Sequence, residues 1–116
     1  MVNCSAPGPD TSLDATYGAL ASPVRRAMLQ RLGAGETRVT DLAEPLPMSL
    51  AAVSRHVRLL EQAGLVRRRV EGRVHWLALD PGPFDAAEDW MNRVRAFWME
   101  RLAALDTLLV DEGKHA

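Results

Sequence analysis

The chain has 116 residues, of which 47% are hydrophobic and 25% charged. This balance fits a single globular domain, since domains peak at about 100–150 residues, and it excludes a disordered chain, which is poorer in hydrophobic residues. The sequence has no apolar run near the ~20 residues of a membrane span, residues 1–12 lack the features of a signal peptide, and a single cysteine, Cys4, excludes an intramolecular disulfide, so we expect a cytoplasmic protein with no membrane partner.

The net charge of −1 conceals two regions of opposite sign. Residues 47–76 contain six arginines and two glutamates, a balance of +4. Residues 80–112 contain eight carboxylates and three arginines, a balance of −5. A basic middle within a nearly neutral chain indicates that one surface meets a polyanion.

Turn signals and hydrophobic spacing predict one folded domain over residues 13–112, with disordered tails at 1–12 and 113–116. A short first helix is predicted over residues 13–21. Ser22 and Pro23 suit the N-cap and first position of a second helix. That helix is predicted to end at residues 33–35, where glycine supplies a left-handed cap, before a very short strand at 37–39.

Two short helices are predicted in the middle of the chain. Thr40 suits the N-cap of the first, and Pro45 and Pro47 bracket the tight connection that follows. Ser49 caps the second helix, which runs to about Gly64.

From residue 65 the hydrophobic period changes from helical to alternating. Residues 65–70 and 74–79 flank a glycine-containing connection, which predicts a β-hairpin. Residues 80–83 close the hairpin, and a long final helix is predicted from about residue 84 to 111.

A helix pair followed by a basic hairpin is the arrangement of a winged helix-turn-helix. The pair spans residues 40–64 and the wing spans 65–79, so the predicted fold class is mainly α with a small β-hairpin. A helix fits the major groove of DNA, where each base pair presents a distinct pattern of donors and acceptors. The predicted partner is therefore double-stranded DNA.

The candidate DNA contacts lie on the outward face of the second helix and on the wing. With Val53, Val57 and Leu60 turned to the core, the outward residues are Leu50, Ala51, Ser54, Arg55 and Arg58. His56 is assigned to a hydrogen bond with neighbouring backbone or with phosphate. The wing residues predicted to neutralise phosphates are Arg67, Arg69 and Arg73. Arg68 lies on the opposite strand face from Arg67 and Arg69, so which arginines face the DNA stays open.

Two other classes of function compete with DNA binding as interpretations of the sequence. A protein-interaction module, whose basic helix-turn-helix face binds an acidic partner, is the alternative, because arginine clusters are often solvated faces. An enzyme is disfavoured: Ser54 and His56 are two residues apart on a helix and do not face each other. The sequence has no glycine-rich phosphate loop or nucleophile elbow, so we predict no catalytic residues.

Three stretches resemble the ArsR family of bacterial winged-helix repressors: LASPVRRAMLQRL at 20–32, VTDLAEPLPMSLAAVSRHVRLLEQAGLV at 39–66 and RRRVEGRVHWLAL at 67–79. The pattern S-x-x-x-V-S-R-H-x-x-x-L-x-x-A-G-L-V within them is highly specific. The resemblance implies a homodimer that represses transcription from a palindromic operator, with its interface on the first and last helices. The DNA contacts it implies are Ser49, Leu50, Ala51, Ser54, Arg55 and Arg58, with Arg73 at the wing tip. Leu50 departs from the family, which often has a polar glutamine there.

The sequence predicts no metal site and no cofactor. The family's thiolate site corresponds here to Arg38-Val39-Thr40, which has no cysteine, and the final helix has no histidine before His115. His75 is interpreted as a partly exposed strand residue, and Cys4 as an incidental thiol. The sequence does not identify an inducing small molecule.

The final helix carries an apolar stripe that so small a domain is unable to cover. A helix of about 25 residues is about 37 Å long. Self-association explains the stripe most simply, with a small apolar ligand between Trp90, Trp98 and the partner as a minor alternative. The predicted interface residues are Leu13, Tyr17 and Leu20 of the first helix and Trp90, Val94, Phe97, Trp98, Arg101, Leu105 and Leu108 of the last.

Overall fold

The computed structural model describes residues 9–115, without the side chains of residues 9–11, 112, 114 and 115. The described elements follow in the order α1 (Pro9–Leu20), α2 (Pro23–Leu32), β1 (Thr37–Arg38), α3 (Val39–Ala43), α4 (Leu50–Gln62), β2 (Val66–Glu71), β3 (Val74–Leu79) and α5 (Gly82–His115). The predicted fold class is confirmed: α3 and α4 form the helix-turn-helix, and β2 and β3 form the wing.

The core lies where α2, α3 and α4 pack against the inner face of the wing. Val53, Val57 and Leu60 recur along one side of α4 and are completely buried. Leu65 and Leu77 cover them from the wing. Since burying a large apolar side chain contributes about 1.5–3 kcal/mol, this stripe fixes which side of α4 faces solvent.

Both helix caps predicted at serine are confirmed. The Ser22 hydroxyl accepts a hydrogen bond from the Arg25 N–H at 3.3 Å, and the Ser49 hydroxyl accepts from the Ala52 N–H at 3.1 Å. At the other end of α4, the predicted C-terminal glycine, Gly64, has a left-handed conformation, with a φ of 76°. The chain therefore turns sharply from α4 into the wing.

Two local predictions are wrong. Thr40 is not an N-cap, because α3 begins at Val39 with Arg38 in the cap position and without a side-chain cap bond. The pairing of Arg38 with Trp76 of β3 holds the backbone extended up to that residue, so the helix begins directly after it. At the end of α2, Gly33 is right-handed, with a φ of −62°, and the positive φ of 143° belongs to Gly35.

The first and last helices are longer than predicted. Helix α1 begins at Pro9 rather than Leu13, and α5 runs from Gly82 to His115. Proline suits the first turn of a helix because it lacks only an N–H that has no partner there, and Gly113 alone costs about 1 kcal/mol, too little to end a helix. The predicted disordered tails therefore overlap helices at residues 9–12 and 113–115, while residues 1–8 and 116 lie outside the described residues.

The wing has two chemically different faces. Its strands join β1 in an antiparallel sheet of order β1-β3-β2, with a two-residue loop in which Gly72 has a φ of 63°. This positive φ at the first loop position matches a type II′ turn. Side chains alternate, so the inner face, towards α4, carries Val66, Arg68, Leu77 and His75, and the outer face carries Arg67, Arg69 and Trp76.

Helix α5 is the longest of the described elements. It has 34 residues, a length of about 51 Å, and packs against α1 near its own N-terminus. There the Tyr17 hydroxyl donates to the Ala87 carbonyl at 2.9 Å, and the Tyr17 ring meets Trp90 edge to face at 5.9 Å between centroids. None of the described helices is apolar enough over a sufficient length to span a membrane.

Candidate nucleic-acid interface

The outward face of α4 presents the side chains expected of a recognition helix. Leu50 is 54% exposed, Ala51, Arg55 and Arg58 are exposed, and Ser54 is half-buried. Neither Arg55 nor Arg58 forms an ion pair with any described carboxylate. Ser49 stands at the start of this face, where its hydroxyl is engaged as the helix cap. The face therefore combines free cations with small residues that allow close approach.

His56 points elsewhere, towards α2. The guanidinium of Arg25 donates to His56 Nδ1 at 3.1 Å and also to the carbonyls of Ala19 and Gly18 at the end of α1. Because arginine has no acceptor, the imidazole must accept at Nδ1, which favours its neutral form. Burial and then the charges of Arg25 and Arg55 lower the pKa of His56 below its usual 6.5. Spacing on α4 alone gave no sign of Arg25, which lies 31 residues away.

We expect the free energy of unfolding to fall as pH decreases below about 6.5. The unfolded chain takes up the His56 proton at a higher pH than the folded chain, so proton uptake favours unfolding in this window. The variant His56→Asn, whose Oδ1 still accepts from Arg25, removes this contribution. Urea unfolding at about pH 7.5 and about pH 5.5, at fixed protein concentration, compares the two. Identical pH dependence of both proteins would contradict the assignment.

Arg67 and Arg69 lie on the outer face of the wing and are held by carboxylates. Arg67 pairs with Asp80 at 2.8 Å, and Arg69 pairs with Glu36 at 2.7 Å and Glu71 at 2.6 Å. The Gly82 N–H and then Arg67 lower the pKa of Asp80, and the hydrogen bond from Arg69 lowers that of Glu36. The structure does not bring these two predicted phosphate contacts beside the recognition helix.

The inner face of the wing carries a network that the sequence reasoning missed. Arg68 donates to both carboxylate oxygens of Glu61 on α4, at 2.7 and 3.2 Å, and to His75 Nδ1 at 3.0 Å. The strand alternation contained a signal for it, since Arg68 shares a face with the buried Val66. At the wing tip Arg73 is exposed and forms no ion pair with a described carboxylate.

The predicted dimer residues fall into two groups. Leu13 and Tyr17 are half-buried on α1, whereas Leu20 packs against the core of the chain itself. On α5, Val94 is half-buried and the Arg101 guanidinium lies 4.6 Å from the centroid of the Phe97 ring. The large hydrophobic residues that are exposed on the described part of α5 are Trp90, Met91, Phe97, Trp98, Met99, Leu102, Leu105, Leu108, Leu109 and Val110.

The described residues contain no group of three or more histidines, cysteines and carboxylates placed to hold a metal ion. Cys4 lies outside the described residues, and so does the side chain of His115. The absence of a metal switch and of a cofactor therefore stays a prediction.

Comparisons with known proteins agree with this geometry. Residues 20–69 match a helix-turn-helix domain family. The HTH-type transcriptional regulator Rv2034 of Mycobacterium tuberculosis is 37% identical over 102 residues, which cover 88% of this chain and 92% of that protein. A crystal structure of an ArsR family transcriptional regulator is 37% identical, with a TM-score of 0.75 over 81% of this chain and 96% of that one. The chain belongs to the ArsR family of transcriptional regulators.

The family resemblance drawn from the sequence motifs is therefore confirmed. A further relative of this ArsR-family chain is the transcriptional repressor SdpR of Bacillus subtilis, 27% identical over 75 residues, which cover 65% of this chain and 83% of that protein. The family is one of transcriptional regulators, which agrees with the prediction that function resides in binding rather than in catalysis.

Proposed function

We propose that this ArsR-family regulator is a homodimeric repressor that binds a palindromic DNA operator. The observation that carries the proposal is the outward face of α4, where Arg55 and Arg58 are exposed without a described carboxylate partner beside small side chains. A repressor acts on the chromosome, so we propose the bacterial cytoplasm as its location. Repression follows when the bound dimer blocks access of polymerase to the promoter.

Each proposed contact has a role that follows from its chemistry. Arg55 donates to guanine edges in the major groove, and Ser54 donates to a base or a phosphate. Ala51 contacts a thymine methyl group, and Leu50 makes apolar contact in place of a hydrogen bond. The remaining proposed contacts, which anchor the DNA backbone, are Ser49, Arg58 and Arg73. Arg67, Arg69 and His56 are left out because each is engaged within the protomer.

A second copy of the chain is the proposed cover for the apolar stripe of α5. The stripe includes Phe97, Trp98, Leu105 and Leu108, each of which is more than half exposed. A large contiguous patch of exposed apolar side chains is typical of an interaction site. Pairing by two-fold symmetry presents two recognition helices, which meet successive major grooves about 34 Å apart.

The test is binding of the purified protein to the DNA upstream of its own gene, against scrambled DNA of equal length, at several salt concentrations. With Arg58 and Arg73 of both subunits on phosphates, four contacts in the dimer, we expect a log–log salt slope of about −4 for the upstream duplex. Equal affinity for both duplexes would contradict sequence reading. A stable dimer that binds neither duplex would overturn the proposal and favour an acidic protein partner.

A further inference from the structure

A cleft of about 320 Å³ separates the recognition helix from the wing. It is called the wing cleft here, and its polar lining includes Thr40 of α3, Ser54 of α4, and Arg68, Arg73 and His75 of the wing. Arg38 also lines it but is paired with Asp41 at 2.8 Å. Among the described arginines of the cleft, Arg73 is the one without a carboxylate partner. Its uncompensated positive charge lies at the wing tip.

One hydrogen-bonded chain crosses the inner end of the wing cleft. Glu61 of α4 accepts two bonds from Arg68 of β2, and Arg68 donates a third to His75 of β3. The Arg68 and Glu61 side chains are 29% and 28% exposed, so solvent competes less with this pair than with a fully exposed one. These hydrogen bonds join α4 to both strands of the wing.

The hydrogen bond from Arg68 determines which nitrogen of His75 carries the proton. A guanidinium has donors only, so His75 Nδ1 must accept from Arg68. The proton of the neutral ring is then on Nε2, which has no described hydrogen-bond partner within the protein. His75 lines the wing cleft, and it therefore supplies an N–H donor beside Arg73 and Ser54.

We propose that the wing cleft seats a backbone phosphate of the operator and that His75 Nε2–H donates a hydrogen bond to it. Glu61 and Arg68 are positioning residues that hold His75 in this tautomer and orientation, while Arg73 supplies the attracting charge. The proposal rests on the proposed function, since it assigns a new contact to the same DNA. Arg68 contributes to DNA binding indirectly in this proposal, because its guanidinium is already bonded to Glu61 and His75.

Two substitutions separate the donor from the rest of the ring. In His75→Gln the side-chain amide places an N–H near the position of Nε2, whereas in His75→Asn the Oδ1 still accepts from Arg68 and the distal donor is lost. On the upstream duplex we expect His75→Asn to weaken binding about tenfold and His75→Gln to stay within about twofold of wild type. The salt slope of both variants stays unchanged, because a neutral donor releases no counterion.

Operator duplexes with a single neutral methylphosphonate identify the phosphate itself. We expect one position in each half-site at which the modification weakens binding by wild type and His75→Gln more than binding by His75→Asn, because His75→Asn keeps only the attraction to Arg73. Arg68→Ala should weaken binding as well, and its effect should not add to that of His75→Asn, because both remove the same contact. Thermal unfolding of each variant checks that the fold is kept.

The outcomes distinguish this inference from the proposed function. If wild type selects the upstream duplex and His75→Asn binds it as tightly, the His75 contact is wrong and the repressor stands. Equal losses for His75→Asn and His75→Gln, with no phosphate position specific to the donor, also overturn the contact. If wild type fails to select the upstream duplex, both proposals are overturned.

Discussion

We expect Leu105→Glu to convert the dimer into monomers and to lower affinity for the operator duplex by about a hundredfold or more. Leu105 is 51% exposed in the single chain and lies fifteen residues, about 22 Å, along α5 from Trp90, which contacts Tyr17 of α1. A carboxylate there has water around it in the monomer but would be buried against the partner's apolar stripe in the dimer. The two half-sites then bind independently, and the gain from linking them, typically 10² to 10⁴, is lost.

The matched control for this prediction is Ala103→Glu. Ala103 is also exposed on α5, and two residues along a helix rotate by about 200°, so it faces away from the stripe. Both variants add one carboxylate to the same helix, and only the Leu105 variant should dissociate. Sedimentation equilibrium gives the oligomeric state, and titration of the operator duplex gives the affinity. A dimeric Leu105→Glu protein, or equal dissociation of both variants, would contradict an interface on this stripe.

The elements that the sequence predicted well are those whose signals are local. Val53, Val57 and Leu60 repeat at helical spacing. Ser22 and Ser49 each come directly before a helix, where serine is a preferred N-cap. The alternation in residues 66–79 around Gly72 likewise defines a hairpin without reference to the rest of the chain. Thr40 misled the prediction because the pairing of β1 with β3, a contact between distant residues, decides where α3 begins.

For the candidate site, the sequence predicted which side chains are exposed on α4 but left the orientation of the wing arginines open. The helical period that turns Val57 to the core also turns Arg55 and Arg58 to solvent, so the hydrophobic spacing predicts both. On β2, alternation separates Arg68 from Arg67 and Arg69 but leaves open which set faces α4. That choice depends on Glu61 and on partners such as Glu36, which lies 33 residues from Arg69.

We expect Arg55→Ala, which removes one contact from each half-site, to weaken binding to the operator duplex by about 30-fold or more and to reduce discrimination against scrambled DNA. Arg55 lies in the exposed first turns of α4, where a recognition helix approaches base edges, and a good bidentate contact to guanine contributes about 1–3 kcal/mol. The loss should be small on scrambled DNA, where no guanine is in register. Competition titrations with operator variants changed at single base pairs measure the discrimination directly.

Arg67→Ala is the control that makes the Arg55 result specific. It removes the same charge from a guanidinium that is 79% exposed but points to the outer face of the wing and is paired with Asp80. If binding depended only on the number of arginines, both variants would lose equal affinity and an equal part of the salt slope. We expect Arg67→Ala to stay within about twofold of wild type, because a surface ion pair contributes little and its charge is already neutralised. If Arg55→Ala weakened binding to operator and scrambled DNA equally, Arg55 would be reassigned to a phosphate contact. Base reading would then fall to Ser54 and Ala51.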